Sequence, residues 1–197
     1  MLTPVGSAEC RAGEEAVRRV AVVCAGNELG RDDGIGIRVG RILKQLELPD
    51  GVEVRFFQEL GWELLDVMRA APRVIVVDAT CSGRAAGTCS VGTLEAREAA
   101  ERSPLGCHGF GLPLLAEMAR QLCPEAPEPR VTLVGIEAER LDGFSAELSP
   151  SVRGALPEAV GLVLSEMGAS AALVAAAEQL ARDAADREPT IGELQGG

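Results

Sequence analysis

The sequence predicts an α/β protein, a three-layer sandwich in which helices cover both faces of a twisted, mostly parallel five-stranded sheet. Two observations predict this class. The segments VAVVCA (20–25) and RVIVVDA (73–79) are continuous apolar runs, which are typical of parallel strands buried on both faces. Segments with apolar residues at helical spacing alternate with such runs, as they do where crossover helices join parallel strands.

Each element is predicted from its own pattern. Short β-branched or alternating runs bounded by Gly, Pro or polar residues predict the strands, at 20–25, 52–57, 73–79, 88–94 and 130–138. Apolar residues three or four positions apart predict the helices, at 33–47, 61–70, 112–122 and 149–168. Ser149 and Pro150 form a start signal for the last helix, and Pro157 is expected to kink or interrupt it.

The predicted domain organisation is simple. Residues 1–17 are expected to form a flexible leader, 18–168 a single α/β domain, and 169–197 an Ala-rich tail that is partly helical and partly disordered. A chain of 197 residues is long enough to bury the core of one such domain.

Composition excludes several classes of function. A net charge of −11 repels a phosphate backbone, and an aromatic content of 3% without Tyr argues against base-stacking surfaces, so no nucleic-acid partner is expected. No uncharged apolar stretch reaches 18 residues, which argues against a membrane span. The six cysteines form no Cys-x-x-Cys pair and no secretory apolar region precedes them, which favours the reducing cytoplasm.

Chemically versatile side chains follow the strands of the predicted sheet. Asp32 and Asp33 stand in the turn GNELGRDDG after the first strand, and Asp78 follows the 73–77 run. His108, the only histidine, lies in the loop before the helix at 112–122. Because sites in such folds form at the carboxyl ends of the strands, these three connections are expected to meet at one edge of the sheet.

Simpler interpretations exist for each residue alone. Asp32 or Asp33 would serve as a helix cap, Asp78 would cap a following turn, and a lone histidine is more often packed or solvated than ligating. Only their joint position at three strand ends favours a site.

The residue types in this set indicate a cation rather than a phosphate. A glycine turn at a helix N-terminus attracts anions, but here two carboxylates already occupy it, and neither phosphate-loop fingerprint is present. Asp33, Asp78 and His108 make a mixed oxygen and nitrogen ligand set with open positions, as in catalytic metal sites. Zinc and nickel both suit these ligands, and residue types do not distinguish them.

A nucleophilic mechanism is the chemical alternative. Cys107 precedes His108 directly, which disfavours a dyad between neighbours, whereas Cys81 or Ser82 would approach His108 only through space. The nucleophile elbow G-x-S-x-G is absent from the sequence.

Four segments together resemble the hydrogenase maturation proteases, over roughly residues 18–168. They are AGNELGRDDGIGIRV, VIVVDAT with its Gly-rich loop and GT, HGFGLPLLAEMA, and VGIEAERLDGFSAELSPSV. The resemblance implies a twisted sheet between helices and a metal-binding trio of Asp33, Asp78 and His108, which coincides with the set above. It also implies an endopeptidase that removes the C-terminal extension of a nickel–iron hydrogenase large-subunit precursor once nickel has been inserted.

On this hypothesis the trio engages nickel in the precursor, while Asp32 caps the helix and holds Asp33 in place. The cation would polarise the scissile carbonyl or activate a water, with a carboxylate as base; an aspartic-type mechanism is the variant without metal. Glu28 adds a carboxylate to the turn and is expected to be solvated. The alternative functions are a non-catalytic nickel-sensing chaperone of the precursor and an α/β hydrolase acting on nucleosides or peptidyl-tRNA.

Overall fold

Five strands and six helices make up the part of the chain that the structure describes. The structure is a computed structural model, which describes residues 20–94, 112–122 and 129–187. The predicted leader at 1–17, the loop that contains Cys107 and His108, and residues 188–197 lie outside the described residues. The strands are Val20–Ala25 (β1), Val52–Phe57 (β2), Arg73–Thr80 (β3), Cys89–Leu94 (β4) and Arg130–Glu137 (β5). The helices are Ile35–Leu43 (α1), Glu63–Ala70 (α2), Leu112–Leu122 (α3), Pro150–Gly154 (α4), Leu156–Met167 (α5) and Ala171–Asp186 (α6).

The strands form one sheet in the order β2-β1-β3-β5-β4. Neighbouring strands are parallel from β2 to β5, and β4 alone pairs antiparallel, with Cys89 opposite Ile136. The order places the first strand near the middle, where both of its faces are covered, and this explains its continuous apolar sequence. The prediction of a mostly parallel five-stranded sheet is confirmed.

Helices cover both faces of this sheet. One face packs against α1, α5 and α6 through a core that includes Ile35, Val77 and Leu164. The other face packs against α2 and α3 through a core that includes Leu64 and Leu115. The three-layer architecture predicted from the alternating segments is therefore confirmed. Among the described residues, no helix combines the length and the apolar character that a bilayer crossing requires.

Some predicted boundaries are wrong for local reasons. The helix predicted at 33–47 is a 3₁₀ turn (Arg31–Gly34) followed by α1, which ends at Leu43. The interruption that Pro157 predicts in the helix at 149–168 is confirmed: the helix is divided at Ala155, because Pro157 has no amide hydrogen and fits only the first turn of a new helix.

Strand β3 extends to Thr80, three residues beyond the pairing of Val77 with β1. It does so because β5 continues to pair with it, up to Thr80 opposite Glu137. Asp78 therefore lies inside a strand and not in the turn after one.

Candidate active site at the carboxyl edge of the sheet

A glycine at the end of β1 sets the path of the turn that carries the acidic residues. Gly26 has a φ of +128°, and a Cβ added there would lie 1.8 Å from the carbonyl oxygen of Asp33. Only glycine fits this close approach of backbone to backbone. The Gly26 amide donates to the carbonyl oxygen of Phe57 at 3.0 Å, which joins the turn to the end of β2.

Asp33 is held in place by this turn. Its side chain is 4% exposed, and its Oδ2 accepts a hydrogen bond of 2.8 Å from the amide of Asn27. A Cβ at Gly30 would come within 3.2 Å of the same oxygen, so a larger residue there would crowd the carboxylate. The simpler interpretation of Asp33 as a helix cap is wrong, because no side-chain hydrogen bond caps either the 3₁₀ turn or α1.

Asp78 is fully buried at the part of β3 that extends beyond β1. Its Oδ1 accepts a hydrogen bond of 2.8 Å from the amide of Ala79. Because side chains alternate along a strand, Asp78 shares its face of the sheet with Val74 and Val76, the face that α2 and α3 cover. The carboxylate therefore lies at one end of the apolar core between the sheet and helices α2 and α3. Leu112 of α3 belongs to the same core.

A close packing contact brings the two acidic residues to the same edge. A Cβ at Gly36, in the first turn of α1, would lie 2.3 Å from the carbonyl oxygen of Ala25 and 2.5 Å from that of Val77. The start of α1 thus rests directly on the ends of β1 and β3, and the 3₁₀ turn that carries Asp33 contacts β3. Asp33 and Asp78 both lie at this carboxyl edge.

Asp32 has a role that the sequence did not reveal. It is fully buried and accepts four hydrogen bonds, all from residues 139–149. The predicted role of Asp32 as a helix cap is therefore wrong. Its Oδ2 accepts from the amides of Glu139 and Arg140 at 2.9 and 2.7 Å and from the Ser149 hydroxyl at 2.8 Å. Its Oδ1 accepts from the Ser149 amide at 2.6 Å. Asp32 therefore fastens the loop at 138–149 to the turn that carries Asp33.

Strain accompanies this fastening. Arg31 is the one described residue other than glycine with a positive φ, +60°, and it directly precedes Asp32. Its amide donates to the carbonyl oxygen of Ser145 at 2.9 Å. A left-handed conformation at a non-glycine residue costs energy, and the bonds to the 138–149 loop compensate for it here.

Glu137, at the end of β5, is a further residue that sequence reasoning missed. Its Oε2 accepts from the hydroxyls of Thr80 and Ser82 at 2.9 and 2.8 Å. Its Oε1 accepts from the amides of Gly83 and Arg84 at 2.7 and 3.1 Å. Burial acts to raise the pKa of Glu137, but these hydrogen bonds outweigh it and hold the pKa below its usual value. The carboxylate thus anchors the Gly-rich loop at 80–87, next to Asp78. The sequence signal that could have identified Glu137 is an acidic residue at the end of an apolar strand.

Glu28 does not behave as the sequence suggested. It was expected to be solvated, but its Oε2 lies 2.5 Å from Nη2 of Arg41 and its side chain is only partly exposed. Arg41 lies two turns into α1, so the ion pair holds the Glu28 side chain beside that helix.

The described thiols and hydroxyls offer little support for a nucleophilic mechanism. Burial raises the pKa of both Cys24 and Cys89 to about 12, so both thiols stay protonated at neutral pH. The Ser82 hydroxyl donates to Glu137 and so positions the loop. Cys81 is exposed on the same loop.

The carboxylates at this edge suit a divalent cation. Asp33 and Asp78 are buried oxygen donors, and such donors combined with imidazole are common around zinc and nickel. Within residues 20–94, 112–122 and 129–187, no three His, Cys, Asp or Glu side chains are grouped to hold a metal ion. The third predicted ligand, His108, lies outside these ranges, so the trio stays a prediction.

Comparison with known proteins gives the family. Residues 38–166 match the sequence model of the hydrogenase maturation protease family, HycI. The hydrogenase 2 maturation protease of Escherichia coli K12 is 32% identical over 151 residues, which cover 76% of this chain and 90% of that protein.

Solved structures agree with this. The hydrogenase maturating endopeptidase HybD from Escherichia coli is similar with a TM-score of 0.65 at 30% identity, over 76% of this chain and 91% of that one. A hydrogenase 2 maturation peptidase from a Thaumarchaeota archaeon is similar with a TM-score of 0.58 at 31% identity, over 77% and 99% of the two chains. The family model, the curated relative and the solved structures lead to one conclusion: the chain belongs to the hydrogenase maturation proteases, a family of hydrolases.

Proposed function

We propose that this protein is the endopeptidase that removes the C-terminal extension of a nickel–iron hydrogenase large-subunit precursor after nickel insertion. Its similarity to a hydrogenase 2 maturation protease over 90% of that protein supports the reaction class. The cytoplasm is the proposed location, because the buried Cys24 and the partly buried Cys89 are both thiols that form no disulfide, as expected in a reducing compartment.

The observation that carries the proposal is the position of Asp33 and Asp78. Both are buried, and each uses one carboxylate oxygen to accept a backbone amide, which fixes the orientation of the group. Side chains held in this way meet a ligand without a further loss of conformational freedom.

The proposed chemistry follows from these donors. Asp33, Asp78 and His108 bind the nickel of the precursor, which belongs to the substrate, and so place the tail beside them. A cation held there polarises the scissile carbonyl or lowers the pKa of a water. One of the two carboxylates accepts the proton of the attacking water, as a general base.

A groove beside the turn is suited to the tail. It has a volume of about 830 Å³ and is lined by residues 56–63, at the carboxyl end of the edge strand β2. Phe57 is part of this lining, and its carbonyl oxygen accepts a hydrogen bond from the amide of Gly26. Gly26 follows β1, the neighbour of β2 in the sheet, and begins the turn that carries Asp33. Phe56 and Trp62 expose 44% and 55% of their surface there, so an extended apolar segment would find aromatic contacts.

The test is cleavage of purified precursor, followed by mass spectrometry. Nickel-loaded precursor is expected to be shortened and nickel-free precursor is not. Asp33→Asn is expected to abolish the shortening, whereas Asp66→Asn, on the exposed surface of α2, leaves it unchanged.

Two outcomes would contradict the proposal. Release of the precursor without shortening would identify a nickel-sensing chaperone. Turnover of nucleosides or peptidyl-tRNA with no shortening of the precursor would identify a different hydrolase.

A further inference from the structure

We propose that a second site on this protein binds a small organic anion that carries at least two carboxylate or phosphate groups. The site, which we call the arginine pocket, is a cavity of about 360 Å³ between α1, the start of α4 and the end of α6. Four arginines line it: Arg38, Arg41, Arg153 and Arg187. This inference does not rest on the proposed function.

The concentration of positive charge is unusual for this chain. The formal net charge of the whole chain is −11, yet the described lining of the pocket carries four guanidinium groups and one carboxylate, that of Glu147. Glu28, which is not part of the lining, neutralises Arg41 through their ion pair, so three guanidinium groups remain against the Glu147 carboxylate. Like charges that share a partly enclosed cavity repel one another, and an anion among them removes that repulsion. The local field therefore favours an anionic ligand in spite of the acidic surface around it.

Arg38 shows most clearly that these surroundings disfavour a charged guanidinium group. Its Nη2 donates to the carbonyl oxygen of Ala146 at 3.0 Å, which fixes the side chain at the pocket wall. Burial lowers the pKa of Arg38, Arg41 lowers it further, and Glu28 acts in the opposite direction. A guanidinium in these surroundings gains more from a bound anion than one in water does.

The shape of the pocket indicates the class of ligand. Its volume lies at the lower end of the range for small-molecule sites. Its lining also includes three apolar side chains, those of Ile42, Leu148 and Leu156. Because the guanidinium groups come from three different helix segments, one acidic group cannot reach them all, and a ligand with several acidic groups fits best.

The pocket is separate from the candidate active site. Two of its residues, Ala184 in α6 and Arg187 directly after that helix, lie beyond the 38–166 segment that matches the family. One wall is the 146–150 segment, which contains Ser149, the residue that donates two hydrogen bonds to Asp32. A ligand in the pocket would therefore also stabilise the loop that Asp32 fastens.

Calorimetric titration of the full chain in about 20 mM salt tests the proposal, with citrate and pyrophosphate as probes; screening is weak at this ionic strength. Binding of at least one probe is expected. The double variant R153Q/R187Q is expected to weaken it by about a hundredfold or more, since each of the two charged hydrogen bonds that are lost contributes about tenfold or more. Arg120→Gln is the matched control, because Arg120 lies on α3, on the other face of the sheet, and pairs there with Glu117.

Each other outcome overturns the proposal. Failure of both probes to bind at 1 mM, roughly the weak limit of specific affinity, would contradict it. Equal weakening by R120Q would show that net charge and not the pocket attracts the anions. Binding of hexaglutamate without binding of citrate or pyrophosphate would identify a surface for an acidic protein segment instead. Thermal unfolding without ligand shows whether the double variant is folded, and Arg187→Gln alone replaces it if it is not.

Discussion

The Oδ1 of Asp32 lies 2.6 Å from the amide nitrogen of Ser149, a residue 117 positions later in the chain. The same carboxylate also accepts the Ser149 hydroxyl and two further amides. One of the two neighbouring aspartates of the turn therefore organises structure, while the other, Asp33, lies at the carboxyl edge with Asp78. This division explains why the turn contains two acidic residues.

Replacing Asp32 by Asn is expected to destabilise the fold by about 2–3 kcal/mol. The new amide group would face donors, and at least two buried hydrogen bonds would be lost. Urea unfolding measures the change. Asp66→Asn, at an exposed ion pair with Arg69, is the control and should stay within about 0.5 kcal/mol of the wild type. A loss below 1 kcal/mol for Asp32→Asn would mean that the loop at 138–149 is held by other contacts.

Replacing Asp78 by Asn is expected to separate activity from stability. Asn keeps the oxygen that accepts the Ala79 amide, so the free energy of unfolding should change by only about 1 kcal/mol. The loss of charge should reduce precursor cleavage by about 10²–10⁴-fold, the usual contribution of a general base. Cleavage rates and urea unfolding of the same preparation provide the check. A variant that cleaves at the wild-type rate would remove Asp78 from the site.

His108 is expected to control the acid side of the pH profile. His108→Ala should abolish cleavage, and wild-type activity should fall below about pH 6, because a protonated imidazole cannot bind a metal. Initial rates of precursor cleavage between pH 5 and 8, about the range over which histidine titrates, test this. A flat profile down to pH 5, or full activity of the alanine variant, would show that the ligand set lacks His108.

Glu137→Gln is expected to loosen the 80–87 loop. Its amide group would face donors from the loop, and amide exchange at Gly83 and Arg84 should become faster.

The pH dependence of this effect has a definite sign. The pKa of Glu137 is lower in the folded state than its usual value, so its stabilisation is complete above that usual value, about 4.5. It is lost as the pH falls through the folded-state pKa. The difference in unfolding free energy between wild type and variant should therefore shrink below about pH 4.5. A difference that grows on acidification would contradict the assigned direction.

Gly36→Ala is expected to disrupt the start of α1 at a cost of about 2–4 kcal/mol, because its Cβ would meet two backbone carbonyls that cannot move aside. The matched control is Gly154→Ala in α4, whose Cβ would have no neighbour within 4 Å. The control should be neutral or slightly stabilising, as alanine is in a helix. Thermal unfolding of both variants compares them. Equal melting temperatures would show that α1 does not rest on β1 and β3 as described.

Much of the fold was predictable because it depends on local periodicity. The buried parallel strands β1 and β3 appear as continuous apolar runs, and Pro157 predicted the break between α4 and α5. The end of β3 was predicted to within one residue, at 79, and the strand continues to Thr80 because β5 pairs with it there. That pairing is a long-range contact, and no local pattern in 73–80 records it.

At the candidate site, the positions of the acidic residues relative to the strands were readable from the sequence, and the contacts of each carboxylate were not. Sequence patterns alone show which carboxylates follow which strands, and with them the family and the edge of the sheet at which Asp33 and Asp78 lie. The folded structure was needed to show that Asp32 binds a distant loop, that Glu137 anchors the Gly-rich loop and that Glu28 pairs with Arg41. This is so because the effect of a carboxylate depends on the hydrogen-bond donors around it. The donors of Asp32 and Glu137 come from segments more than 50 positions away, as with Ser82 and Glu137, and folding alone brings them together.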